Sequence, residues 1–286
     1  MTPEKMRVWL KERLTPEQRV KLQKWANSSS LLRWYYGANL PALATIYGTN
    51  KWRDHWYAQH YQFHFQKFRR RKMNILEIGV GGYENPRAGG DSLRMWKAYF
   101  PRAHIFSLDI HDKSAVQEHR ITIFKGSQND PEFLQWVAKQ IGRIELIIDD
   151  GSHCSEHVIT SFKTLFPALA DGGIYAIEDL QFSYWPDFGG TDDPHCETTS
   201  MWLCKQLIDG LNWQEFRNES PSYTDRNIKS AHFYHNLAFF YKALNEEKSG
   251  MSAAQRQEFS RRKFETIEKM HGVPQVATPQ GTNTQS

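Results

Sequence analysis

An open α/β sheet, mostly parallel and covered by helices on both faces, is the fold this chain predicts. Three observations carry the prediction. From residue 73 onward, short apolar runs alternate with helical stretches, the pattern of strand-helix-strand units. The first run, Met73-Asn74-Ile75-Leu76-Glu77-Ile78, passes directly into a glycine turn, Gly79-Val80-Gly81-Gly82. Two later runs end in acids: Ile147-Ile148-Asp149-Asp150 and Ala176-Ile177-Glu178-Asp179.

Residues 1–26 place Met6, Val8, Trp9, Leu10 and Leu14, then Val20, Leu22 and Trp25, at near-helical spacing. Thr15-Pro16 between them reads as an N-cap with proline at the first helical position, so two short helices are expected. Residues 28–48 read as loop plus a short helix, 47–51 as a turn, and 52–68 as an aromatic-rich helix leading into the core. Strands are expected over 73–78, 103–109, 120–124, 144–148 and 174–177. Helices fall between them at 92–100, stopped by Pro101, then at 131–140, and at 158–169, closed by Asp171-Gly172-Gly173. Residues 181–199 read as a long loop and 201–211 as a helix. Residues 228–234 and 237–241, around His235-Asn236, read as an antiparallel hairpin. The division expected is a helical extension over 1–72, a sheet domain over 73–245, and a charged helix with a disordered tail over 246–286.

With 286 residues, 40% hydrophobic and 24% charged, the chain is long and apolar enough for a large core. The net charge of +4 is spread without a long basic face, which argues against a nucleic-acid partner. The basic run Lys67-Phe68-Arg69-Arg70-Arg71-Lys72 reads as a solvated helix end. Three cysteines, Cys154, Cys196 and Cys204, without CxxC spacing argue against a disulfide framework or a zinc ribbon. No apolar run is long enough for a membrane span and no signal-like segment opens the sequence, so a cytoplasmic protein is expected.

In parallel sheets, ligands bind beyond the carboxyl ends of the strands. If the two acid-tipped strands are neighbours, Asp150, Glu178 and Asp179 converge there with His153 beside them. Three hard oxygen ligands suit a divalent cation, and the imidazole suits a general base. Solvated strand caps are the competing reading of any one acid. Strand alternation turns Asp149 away from Asp150. His153 and His157 are four apart, as in helical zinc pairs, but the glutamate of HExxH is absent, so magnesium is favoured over zinc. Cys154 has no partner pattern for nucleophilic catalysis. The loop after Asp179 carries Tyr184, Trp185 and Phe188 with Gly189-Gly190, which suits a lid over an acceptor.

The glycine turn invites a dinucleotide reading, but Glu84 stands where a third glycine belongs, and Asp109 lies 32 residues after Glu77. An acid at Glu77 suits a ligand with an ammonium group. Glu77-Ile78-Gly79-Val80-Gly81 with Asp109 resembles motifs I and II of the class I S-adenosylmethionine (SAM) methyltransferases, with Gly126-Ser127-Gln128-Asn129-Asp130 flanking the adenine. Four separated blocks sharpen this: Glu77 to Tyr83, Gly89-Gly90-Asp91-Ser92-Leu93-Arg94-Met95-Trp96-Lys97, Asp149-Asp150-Gly151-Ser152-His153, and Ile177-Glu178-Asp179-Leu180. Together with His232 to Phe239 they resemble the metal-dependent sugar O-methyltransferases of macrolide biosynthesis. These are the mycinamicin and demethylmacrocin type, related to rhamnosyl O-methyltransferases. The resemblance spans about residues 48–243.

The resemblance implies a Rossmann-like sheet of order 3-2-1-4-5-7-6, SAM and Mg²⁺ as cofactors, and a small-molecule glycoside as acceptor. It places the cofactor on Glu77, Gly79, Ser92, Asp109, Gln128 and Asp150. It makes Asp150, Glu178 and Asp179 metal ligands and His153 the base, the four residues that the strand tips single out. Relatives that assemble, with the apolar N-terminal stripe, imply a homo-oligomer. An NAD-type oxidoreductase and a non-catalytic glycan-binding protein are the competing functions.

Overall fold

The computed structural model describes Thr15 and residues 35–215 and 220–271. The two helices expected within 1–26 and the tail 274–286 lie outside the described residues. The chain divides into two compact units, Met1–Leu211 with Pro221–Asn245, and Asn212–Ser220 with Glu246–Ser286.

The first unit holds a seven-stranded sheet. Its strands are β1 (Asn74–Ile78), β2 (His104–Asp109), β3 (Ile121–Lys125), β4 (Ile144–Asp149), β5 (Leu169–Ile177), β6 (Ile228–Tyr234) and β7 (Leu237–Lys242). Their spatial order is β3-β2-β1-β4-β5-β7-β6, as expected. The first five pair in parallel, and β7 is antiparallel to both β5 and β6.

The helices of this unit are α1 (Leu40–Tyr47), α2 (Tyr57–Phe65), α3 (Asp91–Tyr99), α4 (Pro131–Ile141), α5 (Ser155–Leu165), α6 (Ser200–Gly210) and α7 (Tyr223–Asn227). They sort onto two faces because side chains alternate along a strand. Ile75, Leu146, Ile148 and Ala176 pack with α1, α2 and α3. Leu76, Ile147, Tyr175 and Ile177 pack with α4, α5 and α6. Both faces are thus covered, which is why the central strands read as continuous apolar runs. The second unit holds α8 (Ala253–His271), whose Arg256 bonds Glu215 at 2.6 Å.

Two helix boundaries differ from the expectation. The helix expected over 52–68 begins at Tyr57, because Arg53 takes a left-handed φ of 92° and residues 50–54 form turns. The helix expected over 158–169 spans Ser155–Leu165. Pro167 brings no N–H to continue it, and Leu169 already opens β5. Asp171-Gly172-Gly173 therefore lies inside β5, beside a register shift against β4 between Ile144 and Leu146.

The parallel register sets the site. Ile78 is level with Asp149 on β4, and Asp149 is level with Ile177 on β5. The next residues along, Gly79, Asp150 and Glu178, leave the sheet at one edge.

Candidate active site

At that edge lies a cleft of about 840 Å³. Its floor is the glycine turn after β1. Gly79 has φ of 95°, and a Cβ there would stand 2.1 Å from the Asp150 carbonyl oxygen. Only glycine allows the turn to touch the β4 loop this closely. Gly81 is also left-handed, and a Cβ there would meet nothing within 4 Å; its backbone faces the open cleft. Asp109, at the tip of β2, lines the cleft too. Its carboxylate accepts from Val80 N at 3.1 Å and His111 N at 2.9 Å.

Ser92, at the start of α3, lines the cleft and donates to Glu77 Oε2 at 2.9 Å. Glu77 itself is fully buried beneath the cleft rather than lining it. Burial raises its carboxyl above the ordinary value, against the pull of Lys51. Gln128 reaches the cleft but spends its amide internally: its oxygen accepts from Ser152 N at 2.7 Å, and its nitrogen donates to Asp149 at 3.2 Å. It thus pins the loop that carries Asp150 and His153.

The acids beyond β4 and β5 form two groups that share Asp150. One is Asp150 with His153 and Asp179; the other is Asp150 with Glu77 and Glu178. The three sequence-predicted acids are therefore split between two adjoining clusters rather than gathered in one. His153 Nε2 lies 3.7 Å from Asp179 Oδ2. Both residues are left-handed, with φ of 60° and 56°. Such backbone costs about 1–3 kcal/mol per residue and collects at functional sites. The His153 ring is stacked on Phe182, 4.9 Å away and 10° from parallel. Phe182 and Phe188 line the cleft, whereas Tyr184 and Trp185 of the expected lid are 43% and 50% exposed.

Asp149 turns the other way, as strand alternation predicts. It is buried under hydrogen bonds from Ser161 at 2.5 Å, Tyr175 at 3.3 Å and Gln128. Desolvation pushes its carboxyl up to about 6. His157 lines the cleft and bonds Ser152 Oγ at 2.8 Å.

Sequence reasoning missed the partners that residues 51–61 bring to the acids. Lys51 Nζ lies 2.6 Å from Asp150 Oδ2, 2.6 Å from Glu178 Oε1 and 3.2 Å from Glu77 Oε1. Tyr61 donates to Glu178 Oε1 at 2.6 Å and Tyr57 to Asp179 Oδ1 at 2.7 Å. His55 Nδ1 approaches that same oxygen of Asp179 at 3.7 Å. Burial alone would lower the Lys51 ammonium; the surrounding carboxylates reverse that and hold it well above its ordinary value. Burial, then the charge of Asp150, raises Glu178. One oxygen of each acid is thus engaged by the 51–61 segment. Among the described residues, no hydrogen bond falls on Asp150 Oδ1, Glu178 Oε2 or Asp179 Oδ2. The signal in the sequence is Tyr57 and Tyr61, four apart on one face of a helix, with Lys51 in the turn segment that precedes it.

No protein-family profile matches the chain. Among characterised proteins it is 50% identical over 214 residues to mycinamicin VI 2''-O-methyltransferase of Micromonospora griseorubida. That match covers 73% of this chain and 54% of the relative. It is 49% identical over 214 residues to demethylmacrocin O-methyltransferase of Streptomyces fradiae, with the same coverage. The chain thus spans about half the length of the relatives it matches. Among solved structures it resembles MycE, the methyltransferase of the mycinamycin biosynthetic pathway, in complex with Mg and SAH. The TM-score is 0.75 at 46% identity, covering 79% of this chain and 60% of that one. A second MycE structure, with Mg, SAH and mycinamycin VI, matches at TM-score 0.75 and 47% identity. With its strand order and glycine turn in place, the matched part of this chain is similar to mycinamicin VI 2''-O-methyltransferase and demethylmacrocin O-methyltransferase.

Proposed function

We propose that the chain transfers a methyl group from SAM to a sugar hydroxyl of a glycosylated natural product. Asp150, Glu178 and Asp179 would hold Mg²⁺, and His153 would be the general base. The observation that carries this reading is the meeting, in one cleft, of a glycine-floored seat and an acid–imidazole cluster. Cytoplasmic location and a homo-oligomer belong to the same reading. Among the described residues, no helix is long and apolar enough to cross a membrane.

The donor set fits a hard divalent ion. Glu77, Asp150 and Glu178 surround the Lys51 ammonium, and Asp179 adjoins Asp150 and His153, so acids outnumber the ammonium in this cluster. Each of these four acids keeps an oxygen free of hydrogen bonds among the described residues, and Asp150 and Asp179 reach the cleft. The seat fits the cofactor, because the Gly81 backbone faces open space and Asp109 is held at the tip of the neighbouring strand.

When bound, the ion supplies charge that orients a sugar hydroxyl and lowers its pKa, and SAM supplies the methyl. Asp109, fixed by two backbone N–H groups, accepts the ribose hydroxyls. Ser92 presents the rim of α3 while Glu77 anchors it from below. The His153 imidazole takes the proton from the attacking hydroxyl. Phe182 fixes its plane, and the Asp179 carboxylate stabilises the imidazolium that results. Most of the rate enhancement comes from positioning and electrostatics.

Titration calorimetry with S-adenosylhomocysteine (SAH), in Mg²⁺ and in EDTA, tests the reading. Micromolar binding is expected, followed by metal-dependent methylation in a screen of glycosylated acceptors. No binding in either condition removes it.

A further inference from the structure

The inner part of the acid cluster is already filled by a side chain of this protein. The group of Asp150, His153 and Asp179 opens on the cleft, whereas Glu77 and Glu178 lie behind it. Lys51 Nζ stands among Asp150, Glu178 and Glu77, and its side chain is fully buried. Asp150 belongs to both groups. Its Oδ2 accepts from Lys51, and its Oδ1 is free of hydrogen bonds among the described residues. Paired divalent sites hold two ions about 3.5–4 Å apart; Asp150, a member of both groups, is placed to serve both. Here the inner place holds an ammonium, which carries one charge instead of two and makes no demand for octahedral geometry.

Resting on the metal reading above, we propose that Lys51 is a positioning residue that permanently occupies the inner of two cation places. The cleft therefore takes one divalent ion where the same acids without the lysine would take two. The ammonium also repels the ion that does bind, keeping it on the oxygens of Asp150, Glu178 and Asp179 that neither Lys51 nor the tyrosines engage. Nothing in this arrangement requires Lys51 to gain or lose a proton.

The test is a titration of Mn²⁺, an ion with the oxygen preference of Mg²⁺, into the full chain with SAH bound. Free Mn²⁺ is read by electron paramagnetic resonance. One ion is expected on the wild type and two on Lys51→Ala, whose missing side chain opens the inner place. Lys51→Met keeps the bulk without the charge, and is expected to bind one ion about ten-fold or more tightly than the wild type. One ion at wild-type affinity on both variants overturns the proposal. Lys51→Gln, which keeps a donor toward Asp150 and Glu178 without the charge, covers the case in which Lys51→Ala and Lys51→Met do not fold. Tighter binding is expected of it too, and unchanged affinity overturns the proposal. A wild type that binds SAH but no Mn²⁺ overturns the metal reading itself, and this inference with it.

Discussion

Lys51 and Asp150, 99 residues apart in sequence, meet at 2.6 Å. The contact ties the segment before α2 to the tip of β4. Tyr57 and Tyr61 repeat the tie to the two acids beyond β5. The segment 51–61, ahead of the first strand, is therefore part of the site. Burying four carboxylates at one sheet edge is costly, and this segment supplies the donors that offset the cost.

Tyr61→Phe tests that tie. The substitution keeps the ring, which packs against Trp96 and Phe239, and removes only the hydroxyl that donates to buried Glu178. Losing a donor to a buried acid costs about 1–3 kcal/mol. Roughly 2–8 °C lower Tm is expected for a chain of this size. A thermal melt without added metal measures it, and an unchanged Tm would mean that the bond contributes nothing.

His153→Ala separates chemistry from binding. The side chain sits at the cleft wall, 20% exposed, in the loop between β4 and α5. SAH affinity is expected to stay within about two-fold, while turnover falls roughly 10²–10⁴-fold, the usual contribution of a general base. Normal turnover would assign the proton to another group, and His55 on the other side of Asp179 would be the next to test.

How much of this was legible in the sequence follows from what each signal depends on. The strand order rests on local periodicity and on motif resemblance, and the sheet has that order. Asp150, His153 and Asp179 meet because strand tips are set by register, which apolar runs reveal. Lys51 was hidden because Tyr47-Gly48-Thr49-Asn50-Lys51 carries only turn chemistry, and its partners lie on other elements. Phe182 was missed in favour of Tyr184 and Trp185 because a loop sequence does not say which aromatic faces inward. The short 3-10 turn Leu180–Tyr184 settles that by aiming Phe182 at His153.

Two glycines of one turn should behave differently. Gly79→Ala drives a Cβ to 2.1 Å from a backbone carbonyl at φ of 95°, so neither partner can yield cheaply. Loss of soluble folded protein is expected. Gly81→Ala meets no neighbour and pays only for its left-handed φ of 76°, about 1–2 kcal/mol. It is expected to fold and to bind SAH more weakly, since its methyl projects into the cleft. Calorimetry on Gly81→Ala checks this; wild-type affinity would move the cofactor seat away from the glycine turn.

Asp149 gives the fold a pH signature of definite sign. Desolvation raises its carboxyl from the ordinary 3.8 to about 6 in the folded chain. The folded state therefore holds this proton more tightly than the unfolded state. Its contribution to stability is full below about pH 4, and is lost as pH rises through about 6. The difference corresponds to about 3 kcal/mol. Asp149→Asn keeps the shape and has nothing to titrate. Chemical denaturation of both proteins from pH 4 to pH 7 should show the wild type losing stability relative to the variant across that window. A constant difference would mean that Ser161, Tyr175 and Gln128 stabilise the charged carboxylate as well as water does. In that case Asp149 would stand ionised behind Asp150, adding its charge to the acid cluster instead of leaving Asp150 and its neighbours to set it.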